Sequence, residues 1–208
     1  MQGLVNYSKD PQVKQNRSLD TRNRIVSAAR ELFLAKGFDE TSVAEICRAS
    51  GVSNGALFHQ FPTKEALGYT IYAMVRAEFW NRIMEAMTEP DDPLEGVEAA
   101  VRAAFTFQRE EPGGAAFMFD VSGSNWIERF AAESTELRDA ISLRGQAWAQ
   151  PHIAAGRLPE VEGDIFVALA SGAPQWLARM SRIGMTVTPL EQIAEQMPVY
   201  VRRAFQPQ

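Results

Sequence analysis

The sequence holds one cysteine, Cys47, among 208 residues, which excludes an internal disulfide framework and a thiol cluster for structural zinc. Its two histidines, His59 and His152, are too far apart to suggest a metal motif by themselves. No apolar run approaches the ~18 residues that a membrane span needs, and the first twenty residues lack the apolar centre of a secretory signal. A cytoplasmic protein without a membrane partner is therefore expected. There is no β pattern of useful length, no internal repeat and no low-complexity tract. Nucleophile elbows, metal-ligand spacings and phosphate-cradling glycine loops are missing too, so neither catalysis nor a metal or cofactor is expected.

What is present is a helix-forming chain, 46% apolar, large enough for one large or two small helical domains. Its net charge of −5 is unevenly spread. Residues 1–66 carry nine Lys+Arg against seven Asp+Glu, whereas residues 67–208 carry twelve against nineteen. Every lysine lies before residue 67. DNA binding depends on the local patch, so an acidic remainder does not exclude it, and a domain at +2 does not establish it.

Residues 1–20 are polar and lack an apolar period, which predicts a flexible arm. From Thr21 to Lys36, Ile25, Ala28, Ala29, Leu32 and Phe33 form one stripe of a helix that Gly37 ends. Ser42 and Glu45 have capping-box spacing for a second helix, with Val43, Ile46, Cys47 and Ser50 facing inward. Gly51 suits the positive φ of a tight exit, and Ser53 caps a third helix reaching about Gln60. Further helices are predicted from Lys64 to Met87, Leu94 to Glu110, Glu133 to Ala155, Glu162 to Ile183 and Pro189 to Phe205. Pro112 to Gly114 should interrupt the chain, and a short helix followed by a loop should fill Ala115 to Phe130. Pro174 should kink its helix.

The stretch from Thr41 to Leu67, TSVAEICRASGVSNGALFHQFPTKEAL, has the order of a helix-turn-helix, whose second helix enters the major groove while the first crosses the backbone. The reading face must then be small or polar, as Ser53, Asn54, Gly55 and Ala56 are. His59 and Lys64 are placed to meet phosphates, and Thr41 or Ser42 offers a hydroxyl to the opposite strand's backbone. One of Phe58 and Phe61 should hold the short helix to the core while the other sits against sugar-phosphate. Packing is the more ordinary role of both, as a core position is for Cys47.

With the preceding ARELFLAKGFDETSVAEI, these residues resemble the DNA-binding domain of the TetR family of bacterial transcription regulators. The match runs over about residues 21–67 and rests on Gly37-Phe38, Thr41-Ser42-Val43, Ile46, Gly51-Val52-Ser53, Leu57-Phe58, Phe61 and Lys64-Glu65. The resemblance implies an all-α homodimer: a three-helix helix-turn-helix domain at 21–66, and a larger helical ligand-binding and dimerisation domain at 67–208. It implies a repressor released from a palindromic DNA operator by a small-molecule effector. The alternative is a helical ligand- or protein-binding module without specific DNA binding.

Two positions depart from the family pattern. Phe58 stands where a phosphate-binding tyrosine is frequent, and Asn54 where a lysine or arginine is frequent, which trades a charge for an amide suited to adenine. A modest salt dependence is expected, partly restored by Lys14, Arg17 or Arg22 from the arm in a minor groove.

Beyond residue 67, aromatic side chains crowd the segment that the resemblance places around a ligand. Trp80, Phe105, Phe119, Trp126 and Trp148 are the apolar candidates, with Asp120, Asn125, His152 and Gln175 to orient a ligand. Core packing is the ordinary alternative for each. In the last two helices, Ala168, Gly172, Trp176, Met180, Ile193, Met197 and Tyr200 form apolar or small-residue faces, which the resemblance pairs with their twins in a four-helix dimer interface.

Overall fold

The computed structural model describes residues 11–207, and these form ten α-helices with no strand among them. The chain divides into two compact units, residues 1–72 and 73–208. The division falls inside a helix, six residues beyond the boundary expected from sequence.

The first unit begins with α1 (Pro11–Lys36). Residues 11–20, expected in a flexible arm, are thus its first turns; residues 1–10 of that arm lie outside the described residues. Pro11 starts the helix because the amide it lacks would be unpaired in a first turn anyway. Residues 15–20 are exposed, which is why the sequence shows no apolar stripe there. The anchor is Ile25, Ala28, Ala29 and Phe33, which are buried, as are Ile46 of α2 (Val43–Ser50), Leu57 of α3 (Asn54–Gln60) and Leu67 and Ile71 in the first turns of α4 (Lys64–Thr88). Each such side chain contributes about 1.5–3 kcal/mol by leaving water.

The second unit contains the rest of α4, then α5 (Pro93–Glu110), α6 (Pro112–Ser122), α7 (Ala131–Ala154), α8 (Gly163–Val167), α9 (Ala173–Arg182) and α10 (Leu190–Ala204). Asp92 caps α5 by accepting the Leu94 amide at 3.1 Å, with Pro93 in the first turn. The Pro112–Gly114 interruption is only a one-residue corner at Glu111: Pro112 opens α6 instead of delaying it. A 3₁₀ turn, Ile127–Phe130, leads into α7.

Helix α5 is central, with α10 and α9 packed on it, and its Val97, Val101 and Phe105 share a core with Leu158, Ala170, Val201 and Phe205. Phe79 of α4 meets Phe107 of α5 edge-on at 5.0 Å. Arg202 of α10 reaches Asp92 at 3.2 Å and Glu98 at 3.4 Å, tying the last helix to the start of α5. The predicted Glu162–Ile183 helix is divided by a π-helical turn over Ala168–Gly172, where the Ala173 amide reaches back to the Ala168 carbonyl. Pro174 follows directly; it lacks the donor that a regular α-helix would aim at the Ala170 carbonyl, which lies inside the widened turn. Among the described residues no helix is long and apolar enough to cross a membrane.

Candidate nucleic-acid interface and effector cavity

The turn between α2 and α3 is built by local chemistry and fastened from a distance. The Ser42 hydroxyl accepts the Glu45 amide at 3.2 Å, while Glu45 accepts the Ser42 amide at 2.9 Å, a complete capping box. At the other end Gly51 takes φ +66°, which costs a residue with a Cβ about 1 kcal/mol or more. Arg24 of α1 donates to the Ser50 carbonyl at 2.6 and 3.1 Å and to the Gly51 carbonyl at 2.9 Å. This guanidinium satisfies carbonyls that the end of α2 leaves unpaired. Nothing in the local pattern marks Arg24, since its partners lie 26 and 27 residues away.

Helix α3 begins with the Ser53 hydroxyl accepting the Ala56 amide at 3.2 Å. Leu57 is fully buried and Phe61 is 2% exposed, so these two fix the helix to the core. Ser53, Asn54, Gly55, Phe58 and His59 are exposed, and Ala56 is half-buried. The two phenylalanines thus separate: Phe61 packs beneath the Arg22 guanidinium at 4.3 Å, and Phe58 remains 41% exposed. Arg22 also donates to the Gln60 carbonyl at 3.4 Å. It braces the end of α3 instead of belonging to a free arm.

Thr41 requires a correction. Its side chain is 1% exposed and its hydroxyl donates to the Gly37 carbonyl at 2.8 Å, so it closes the α1–α2 turn and cannot donate to a phosphate. Ser42 is exposed, but its hydroxyl proton goes to Glu45 at 2.8 Å. The ammonium of Lys64 lies 4.2 Å from the centre of the Phe38 ring; burial lowers its pKa, against the opposing pull of Asp39, Glu65, Glu40 and Glu45. Cys47 is half-buried beside Asn54, with Sγ 3.9 Å from Oδ1.

Glu45 is held at a pKa of about 2, first by its hydrogen bond from Lys36 and then by those from Ser42. Its folded pKa lies below the unfolded value, so its contribution is complete above about pH 4.5 and is lost as the pH falls toward 2. Glu45→Gln should therefore flatten the acid limb of the melting temperature against pH in that window. An unchanged acid slope would show that the box carries no such linkage.

In the second unit a cavity of about 400 Å³ opens among α4, α5, α7, α8 and the segment between α7 and α8. Trp80 and Trp148 are on its wall, as a ligand role for them requires. Phe105, Phe119, Asp120, Trp126, His152 and Gln175 lie off it. Phe105 belongs to the α5 core, and Trp126 stacks edge-on with Phe130 at 6.1 Å. Asp120 pairs with Arg179 at 2.8 Å, and the same guanidinium covers Phe119 at 4.4 Å. His152 stands behind Trp148 at 5.2 Å with a buried, unpaired Nδ1, and burial followed by the nearby Arg157 charge lowers its pKa. Gln175 is half-buried on α9.

Sequence reading missed the wall residues Met84, Met87, Ile153, Phe166 and Phe205. The last two come from segments whose apolar character had a ready explanation in dimerisation. It also missed Gln108, buried on α5 with an unpaired amide nitrogen.

The residues expected at a dimer interface divide by exposure. Trp176 and Tyr200 are 55% and 63% exposed, Ala168 is exposed, and Gly172 and Met180 are half-buried. Ile193 and Met197 pack against their own unit's core instead. Ile183, on the same expected face as Trp176 and Met180, is exposed too, and Met185, Val187 and Val199 are further exposed apolar residues that the expectation left out.

The family model for bacterial regulatory proteins of the tetR family matches residues 25–67. The HTH-type transcriptional regulator UidR of Escherichia coli K12 is 32% identical over 107 residues, 51% of this chain and 53% of UidR. This chain thus spans about half the length of the first curated relatives it matches. A TetR family transcription regulator from Marinobacter aquaeolei VT8 is similar in structure, with a TM-score of 0.69 at 17% identity over 93% of this chain and 100% of that one. The Bacillus subtilis regulator FadR, solved with stearoyl-CoA, gives 0.62 at 16% identity over 88% and 98%. The helix-turn-helix of residues 25–67 is thus of the tetR type, and the all-helical fold is that of solved TetR-family regulators.

Proposed function

We propose that this protein is a ligand-responsive, sequence-specific DNA-binding transcription regulator, a homodimeric repressor that leaves a palindromic operator when a small apolar or aromatic effector binds. The observation that carries the DNA reading is α3: Leu57 and Phe61 hold it from behind while Ser53, Asn54, Gly55, Phe58 and His59 face outward. Asn54 is the residue to pair with an adenine edge, Gly55 admits a base or sugar closely, and Phe58 offers apolar contact to a thymine methyl. Lys64 and His59 supply backbone contacts.

Selection from random double-stranded DNA should enrich a palindrome; enrichment of nothing would favour a helical binding module without specific DNA recognition. On the selected operator, Lys64→Ala should lower the salt slope of log K by about one. An unchanged slope would remove Lys64 from the phosphate contacts.

Dimerisation is supported by the exposed Trp176 and Tyr200 on the last two long helices, and by the need of so small a reading head for two half-sites. Trp176→Glu with Tyr200→Glu should convert a dimer to a monomer in the ultracentrifuge at micromolar concentration. A dimer that survives both changes would place the interface elsewhere.

The effector reading rests on the 400 Å³ cavity and its two tryptophans. It is supported in kind by FadR, a protein of similar fold that holds stearoyl-CoA.

A further inference from the structure

The wall of the cavity has a one-sided chemistry. Trp80, Trp148, Phe166 and Phe205 give it four aromatic side chains, and Glu160 and Glu162 stand at the segment before α8. No lysine, arginine or histidine is on the wall. Neither glutamate is ion-paired among the described residues. Two arginines adjacent in sequence to wall residues are not on the wall: Arg144 donates to Asn81 at 2.6 Å, and the Arg157 charge acts on His152. An anion entering this cavity would lose its hydration and meet two carboxylates with no basic partner. An organic cation would instead meet aromatic faces, whose quadrupoles attract positive charge, and two carboxylates with no competing counter-ion.

We infer that the effector is a lipophilic organic cation, an aromatic or branched aliphatic ammonium held between the tryptophans and drawn in by Glu160 and Glu162. This rests on the reading of the cavity as the effector site. A cavity of about 400 Å³, filled at the density of a protein interior, takes a ligand of about fifteen non-hydrogen atoms. Serine and glutamine side chains complete the polar part of the wall, at Ser142, Gln146 and Gln150, and can accept hydrogen bonds from a protonated amine.

Three size-matched probes separate the possibilities: para-tert-butylphenyltrimethylammonium, para-tert-butylbenzamide and para-tert-butylbenzoate. Each is titrated against the full chain while the tryptophan emission is followed, with calorimetry to fix stoichiometry. The cation should bind about tenfold tighter than the amide, and the benzoate weakest of the three. Both glutamates are exposed, so Glu160→Gln with Glu162→Gln leaves the fold intact and should remove at least about half of the cation's advantage on a logarithmic scale, with the amide's affinity unchanged. Amide binding without preference for the cation, or a preference that survives the double substitution, overturns the proposal and leaves the cavity reading standing. Binding by none of the three overturns both.

Discussion

Gly96→Ala is expected to lower the stability of residues 73–208 by about 2–4 kcal/mol, a large effect for one methyl group. A Cβ built on Gly96 would lie 2.4 Å from the Met87 carbonyl oxygen and 3.0 Å from the Trp148 ring. The first obstacle is backbone at the end of α4 and cannot rotate away. The second is a wall residue of the cavity, as are Met87 and Val97. The substituted chain must therefore separate α4 from α5 locally or push the tryptophan into the cavity, and either change degrades ligand binding as well as stability. Denaturant unfolding followed by far-UV circular dichroism reads the first effect, and probe titration reads the second. A loss below about 0.5 kcal/mol would mean that the α4–α5 corner yields easily.

Arg24→Ala is the second large effect, expected at about 1–3 kcal/mol for the unit of residues 1–72. Its guanidinium satisfies the Ser50 carbonyl twice over and the Gly51 carbonyl once. Removing it leaves the end of α2 uncapped at the turn that aims α3, so operator affinity should fall at least about tenfold as reading geometry loosens. Arg24→Lys is the informative partner: it keeps the charge but loses the planar fork, and should recover only part of the loss. Full rescue by lysine would show that charge near the operator, and not the capping geometry, is what matters. Equal melting temperatures for wild type and Arg24→Ala would sink the structural half of the prediction.

How much of this molecule was legible beforehand differs from element to element. The capping box, the Gly51 turn and the Ser53 cap follow from residues within four positions of one another, so their geometry agrees with the spacing. The Lys64–Thr88 and Pro93–Glu110 helices match their expected spans within a residue. Helix α1 did not, because residues 15–20 are exposed, bury no face and so carry no period to detect. The π turn before Pro174 was visible only as a disruption, since which carbonyl each amide then finds depends on the packing of the whole segment.

The candidate sites show the same division more sharply. Exposed Asn54 and Phe58, with Leu57 buried between them in sequence, follow the periodicity of a short amphipathic helix. Thr41 was misread because a threonine before a helix can either face solvent or close a turn, and only the position of the Gly37 carbonyl decides. Phe105, Phe119 and Trp126 looked as suitable for a ligand as Trp80 and Trp148 did. An aromatic side chain has the same composition in a core as on a cavity wall.

The sequence by itself determined the helical class, the order of the helices, the reading unit with its caps, and the absence of catalytic motifs. These are consequences of periodicity, glycine and proline placement, and hydrogen bonds between near neighbours. Only the tertiary structure decided that Arg24 pins the turn, that Phe61 and not Phe58 enters the core, and that Glu160, Glu162, Phe166 and Phe205 share one cavity with two tryptophans from earlier helices. Each of those facts joins groups separated along the chain by more than a helix length, and such contacts exist only once the hydrophobic faces have chosen their partners.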